Sequence, residues 1–294
     1  QVEGLAKALD LDFTHHTVET NKFWKMFPPK LTPISQKVFK KIDVEEFDVI
    51  ISCGRKSVIP SIYLKKNSPK KITNIHIQDP KVNLDNFSYV IAPEHDGLTG
   101  KNIFSTKGAI HYLTKNEIDN NSDYLKNRLD NKKEYFTLIL GGPTKHYEYS
   151  KENILQIFDL FNNLVEKNNL QGIIIPSMRT PKKIIELSSV KLSSNSLVID
   201  NIDKKAYLSA LSLAKYIAVT CDSTSMISEA ALTGKPIYIA DIPTKKNDTR
   251  IKKFRELFAK LNIIKNLDNK LETWHYEILD ETSRVAKEIK KQLV

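Results

Sequence analysis

Short, unbroken apolar runs dominate this chain and restrict what it can fold into. Within Asp48-Val49-Ile50-Ile51-Ser52 and Gly172-Ile173-Ile174-Ile175 the three successive residues Val49-Ile50-Ile51 and Ile173-Ile174-Ile175 are all β-branched and apolar. A strand with one face in water alternates apolar and polar residues, so continuous runs predict strands covered on both faces, as in parallel sheets. Further runs of strand length fall at 13–18, 72–77, 87–92, 136–140, 197–199, 216–220 and 236–240. Helical patterns lie between them. Over 151–167, Ile154, Ile157, Phe158, Phe161, Leu164 and Val165 recur at helical spacing, with Ser150 as the N-cap. This alternation predicts an α/β protein built from doubly wound parallel sheets.

A length of 294 residues suits two such domains better than one. The segment 115–134 is rich in Asn, Asp and Lys and carries at most a short polar helix near 124–129, so it is read as the link. The predicted domains are 1–133 and 134–276, with a final helix over 277–294 packing back on the first. Residue 1 is Gln, and the first pattern is already helical (Leu5, Ala6, Leu9). Parallel domains usually open with a strand, so a strand and loop are expected upstream of this helix.

Composition serves mainly to exclude. Hydrophobic residues at 40% and charged residues at 27% rule out a disordered chain. No run approaches the roughly 20 apolar residues of a membrane-spanning helix. Two cysteines cannot make a disulfide framework or the usual thiolate zinc site, and two reduced thiols fit a cytoplasmic protein. Lys and Arg number 45 against 35 Asp and Glu, a net charge of +10 that favours anionic partners. The surplus is spread evenly along the chain and no nucleic-acid motif accompanies it, so nucleic acid is not an expected partner. Lysines at 65–71 and 245–253 read either as solvated faces or as contacts for an anionic membrane, at about 1 kcal/mol per well-placed charge.

In open α/β sheets ligands bind beyond the carboxyl ends of the strands. In the second half, Gly141 and Gly142 follow one strand and read as a close-approach loop for a phosphate or as a plain turn. Ser177, Arg179 and Thr180 follow another, with Thr180 expected to cap a helix opened by Pro181. Arg179 suits a bidentate phosphate contact or a solvated surface. Asp222, Ser223, Ser225 and Met226 open a third helix, with Asp222 or Ser223 as its cap, and Glu229 lies one to two turns further on. A buried carboxylate there would suit ribose hydroxyls; the plain alternative is a solvated helical Glu. In the first half, Gly54 and Arg55, then Gln78 and Asp79, then His95 and Asp96 follow successive strands. His95 and Asp96 are candidates for proton transfer. Cys53 and Cys221 end strands in different halves and are expected to stay free.

Together these segments resemble the bacterial branch of the plant "elongated mitochondria" (ELM) mitochondrial fission family, described as GT-B type glycosyltransferases. The matching residues are Cys53-Gly54-Arg55-Lys56-Ser57, His76-Ile77-Gln78-Asp79-Pro80, Val90 through Asp96 and Asn102 through Ala109. They continue with Leu140-Gly141-Gly142-Pro143, Ser177 through Pro181, and Thr220 through Met226, then Glu229 and Gly234-Lys235-Pro236. The resemblance covers nearly the whole chain. Family members usually begin with a strand and a glycine-rich, Asn-bearing loop.

The resemblance implies two Rossmann-like domains with a cleft between them, and a nucleotide-sugar donor on the second. The donor diphosphate and base would meet Gly141, Gly142, Ser177, Arg179, Thr180, Asp222, Ser223, Ser225 and Met226, with Glu229 on the ribose. Gly54, Arg55, Gln78 and Asp79 would face the acceptor, and His95 or Asp96 would serve as base. No metal is implied, since helix dipoles and Arg can neutralise the diphosphate and no Asp-x-Asp motif falls in the strand-end segments; no cofactor is expected. The acceptor would be an envelope or lipid-linked glycan at the inner membrane face. Two other readings stand beside this one: a non-catalytic GT-B-like binding protein at a membrane surface, and a nucleotide-sugar epimerase.

Overall fold

The computed structural model describes residues 1–42, 46–192 and 195–293, the side chain of Leu293 excepted. It divides into two compact units, one of residues 1–112 with 281–294 and one of residues 113–280. Among the described residues each unit is built on one parallel sheet.

In the first unit the strands are β1 (Val49–Cys53), β2 (Thr73–Ile77), β3 (Tyr89–Pro93) and β4 (Ile103–Thr106), ordered as in the chain. Both faces are covered, which is why the strands read as continuous apolar runs. One face carries Ile75, Ile77 and Ile91 against Leu5 and Leu9 of helix α1 (Val2–Ala8 and its C-cap). Val285, Ala286 and Ile289 from the terminal helix join that cluster. The other face carries Val90 and Ala92 against Val58, Ile59 and Ile62 of α2 (Val58–Asn67), with Val38 and Phe39.

The polar segment after Leu113 belongs to the second unit. It contains α3 (Lys115–Asp119) and two 3-10 turns. It is bonded down: Leu125 is fully buried, its amide donates to Ser209 Oγ (3.1 Å), and Ser209 Oγ donates to the Ser122 carbonyl (3.0 Å). Beyond it lie β5 (Tyr135–Leu140), α4 (Lys151–Lys167), β6 (Gln171–Pro176), α5 (Lys182–Lys191), β7 (Ser196–Val198) and α6 (Lys204–Leu213). The unit continues with β8 (Ala214–Thr220), α7 (Thr224–Ala231), β9 (Ile237–Ala240), α8 (Thr249–Lys260) and β10 (Ile264–Asn266). The sheet order is β10-β9-β8-β5-β6-β7. This is the Rossmann order, and its direction of winding reverses between β5 and β8. The predicted stripe of α4 is buried in full, and Ser150 accepts from the Asn153 amide at 3.2 Å, as expected of the cap.

The terminal helix α9 (Glu281–Leu293) is shorter than the 277–294 predicted, and Val294 lies outside the described residues. Its start is fixed by side chains. The buried Glu281 carboxylate accepts from the Lys107 amide (2.7 Å) and from Arg284, and Thr282 Oγ1 donates to the His111 carbonyl (2.9 Å).

Three further local expectations are corrected. Residues 13–18 form no strand; Phe13 is 45% exposed, and the pairing falls two residues later, where Thr20 bridges Phe39. Strands β4 and β10 lie outside the expected set, because Ile103-Phe104-Ser105-Thr106 and Ile264-Lys265-Asn266 carry only two and one apolar residues. Thr180 is not the cap of α5, because Pro181 holds the cap position while Thr180 Oγ1 bonds to the end of β5.

Candidate functional site

The reversal between β5 and β8 puts the loop after Leu140 beside the loop after Thr220, at the place where open sheets of this order take ligands. Asp222 joins the two. Its side chain is fully buried. Oδ1 accepts from Tyr149 OH (2.5 Å) and Thr220 Oγ1 (2.8 Å), and Oδ2 accepts from the Gly142 amide (3.2 Å). The Arg179 guanidinium closes the set, with its NH2 nitrogen 2.8 Å from Oδ2 and its NH1 nitrogen donating to the Gly142 carbonyl (3.3 Å). A buried carboxylate is tolerable only when paired and bonded in this way. Burial and the adjoining Asp222 charge push the Tyr149 phenol far up, so Tyr149 remains a donor.

The paired glycines now have a physical reason. A Cβ at 141 would sit under 3.0 Å from the Asp222 carboxyl atoms, and one at 142 equally close to the Arg179 backbone. The Gly141 amide donates to Thr220 Oγ1 at 2.8 Å. The residues following three strands (Gly141 and Gly142 after β5, Arg179 after β6, Asp222 after β8) are therefore one bonded assembly. Ser177 and Thr180 complete the middle loop: Thr180 Oγ1 accepts from the Ser177 amide (2.8 Å) and bonds the Leu140 and Gly141 carbonyls. Arg179 itself stays 42% exposed along its side chain, with donors left over for a ligand.

Ser223, rather than Asp222, caps α7, accepting from the Met226 amide at 3.4 Å. The first turn of α7 therefore presents backbone N–H groups and the partly exposed Thr224 and Ser225 at the same sheet end. Met226 is buried. Glu229, near the far end of α7, is partly buried, and its Oε2 accepts from Tyr207 OH (2.7 Å). Burial raises the Glu229 carboxyl above its ordinary value, and the Tyr207 hydrogen bond opposes the rise. Sequence reasoning missed Tyr149 and Tyr207. Neither sits in a strand-end motif, and each reaches the site only through its hydroxyl.

In the first unit the candidates occupy the ends of β1, β2 and β3. Gly54 has φ +78°, a conformation that favours glycine. Arg55 is engaged with its own unit, donating to the Lys25 and Phe27 carbonyls (3.0 and 2.6 Å). Gln78 holds φ +82°, a strained setting for a non-glycine residue, while its amide donates to the Ile91 carbonyl (2.8 Å). Asp79 accepts from the Lys81 amide (2.8 Å). His95 Nε2 lies 3.8 Å from Asp96 Oδ1, with both side chains more than nine-tenths buried in a 3-10 turn. His76, absent from the candidate set, is buried against Ser52 Oγ (2.8 Å from Nδ1) and Phe87, and burial pulls its pKa down to about 4. Cys53 and Cys221 are free thiols, and burial raises both, Cys221 to about 12. Neither is a thiolate at neutral pH. Among the described residues no group of three or more His, Cys, Asp or Glu could hold a metal, and no helix is long and apolar enough to cross a membrane.

The description "Mitochondrial fission ELM1" belongs to the family whose profile matches residues 1–293. The chain belongs to that family. It is 27% identical over 333 residues to the uncharacterized protein RP120 of Rickettsia prowazekii, covering 99% of this chain and 94% of that one. It is 22% identical over 274 residues to the mitochondrial fission protein ELM1 of Arabidopsis thaliana, covering 83% of this chain but 64% of the plant protein. Among solved structures, one from Listeria monocytogenes, of a protein proposed to be a UDP-N-acetylglucosamine 2-epimerase, matches with a TM-score of 0.51 at 11% identity. The match covers 83% of this chain and 66% of that one. At that identity the likeness speaks for the fold, two Rossmann-like parallel-sheet units of the GT-B type.

Proposed function

We propose that this ELM-family chain is a glycosyltransferase that moves a sugar from a nucleoside-diphosphate donor to an envelope or lipid-linked glycan at the inner membrane face. The observation that carries the donor half of this reading is the Asp222 assembly at the winding reversal of the second sheet. In this reading Asp222 does not touch the donor. It fixes the Gly142 amide and orients Arg179, which faces the diphosphate together with the first turn of α7, Ser177 and Ser225. Glu229, held by Tyr207, takes the ribose hydroxyls. His95 and Asp96 serve as the candidate base on the acceptor side.

The test is a thermal-shift and calorimetry panel of UDP-, GDP-, ADP- and CMP-sugars, followed by product analysis. A donor present at a hundredfold excess over its Kd should stabilise the protein by about 2.7 kcal/mol. Transfer of the sugar to an added glycan supports the transferase. An altered sugar on the nucleotide would make the chain an epimerase, and binding without turnover a non-catalytic relative. If no member of the panel shifts the melting temperature at millimolar concentration, the donor site is refuted.

A further inference from the structure

The segment 20–42 carries six lysines and neither Asp nor Glu. All six lysines are exposed. Interleaved with them are large apolar side chains that the fold leaves in solvent: Phe23 at 58%, Met26 at 73% and Leu31 at 66% exposure. Lone exposed apolar residues are ordinary, but a concentration of them rimmed by one sign of charge is not.

This segment is held in shape. Its ends are joined by the Thr20–Phe39 bridge and by the Asn21 amide donating to the Val38 carbonyl (2.9 Å). Arg55 clamps its middle through the Lys25 and Phe27 carbonyls. Trp24 packs inward against the cluster of Val38, Phe39 and Val58. Phe23 contacts both Trp24 and Phe27, at ring-centre distances of 4.9 and 5.1 Å. Pro28 and Pro29 fix the backbone before Leu31. The loop therefore presents Phe23, Met26 and Leu31 from a fixed base instead of collapsing them inward.

We infer that the loop 20–39 is a docking surface for an anionic lipid bilayer, with Phe23, Met26 and Leu31 entering the interface and Lys22, Lys25 and Lys30 meeting the headgroups. Charge complementarity selects this occupant. An apolar patch made for a protein partner is typically poor in lysine at its core, whereas aromatic and aliphatic residues interleaved with lysine suit the boundary between headgroups and acyl chains. The inference gives the membrane location in the functional reading a specific surface, and it stands or falls apart from the donor site.

The experiment is co-sedimentation of the full chain with phosphatidylcholine vesicles, with and without about 30% phosphatidylglycerol. The wild type should bind the anionic vesicles at least tenfold more tightly than the neutral ones, and high salt should release it. The triple variants Lys22→Glu/Lys25→Glu/Lys30→Glu and Phe23→Ser/Met26→Ser/Leu31→Ser should each lose at least tenfold. Both should keep the wild-type response to nucleotide sugars. The Glu variant should melt with the wild type because its altered side chains are exposed, and the Ser variant within a few degrees of it, since Phe23 also packs on Trp24 and Phe27. Equal binding to both vesicle types, binding to neither, or full binding by the variants would overturn the inference. So would a self-associated species in sedimentation velocity that the Ser variant abolishes, which would make the patch a protein interface.

Discussion

The carboxylate of Asp222 fills the space that any side chain at Gly141 would need. The two residues are 81 positions apart in sequence and meet because β5 and β8 are neighbours in the sheet. Gly141→Ala is therefore expected to cost about 1–3 kcal/mol, the usual range for overpacking. The same substitution should cost much less in an Asp222→Ala background, where the obstructing group is gone. A double-mutant cycle by urea denaturation should return a coupling of about 1 kcal/mol or more. Additive costs would mean that Gly141 is glycine for some other reason.

Glu229 separates stability from function. Burial raises its carboxyl above the unfolded value, so the folded state holds its proton more tightly than the unfolded state does. Stability is lost as pH rises through the window above the unfolded value, and the cost persists at neutral pH. Glu229→Gln removes that cost while keeping an oxygen for Tyr207, so the variant should melt no lower than wild type at pH 7. If Glu229 takes ribose hydroxyls, its affinity for a nucleoside diphosphate should nevertheless fall about tenfold, roughly 1.4 kcal/mol. A stabilised variant with full affinity would leave Glu229 a helix residue and nothing more.

Sequence alone carried the sheet much further than the site. Runs such as Val49-Ile50-Ile51 and Ile173-Ile174-Ile175 declared themselves because a strand covered on both faces has no polar positions to confuse the pattern. β4 and β10 were hidden because each holds only one or two apolar residues beside Ser105-Thr106 or Lys265-Asn266, and 13–18 misled because strand-forming residues such as Phe13, Thr14, Thr17 and Val18 make no ladder without a partner strand. Gly141, Arg179 and Asp222 were legible as strand-end residues. Their mutual bonding was not, since it depends on which strands are neighbours. Tyr149 and Tyr207 carried no signal, because one hydroxyl on an otherwise apolar ring looks like core.

Burial of His76 is expected to make the fold sensitive to acid. It is fully buried, with Nδ1 on Ser52 and the ring beside Phe87, and burial lowers its pKa from 6.5 to about 4. Between those values the unfolded chain binds the proton and the folded chain does not, so stability falls as pH drops from about 6.5 toward 4. The full loss attributable to this residue is about 3 kcal/mol. His76→Asn keeps a polar partner for Ser52 and cannot titrate. Denaturant midpoints between pH 7 and 4.5 should therefore fall less steeply for the variant than for wild type. Parallel lines for the two proteins would place the acid sensitivity elsewhere and show that His76 is protonated in the fold.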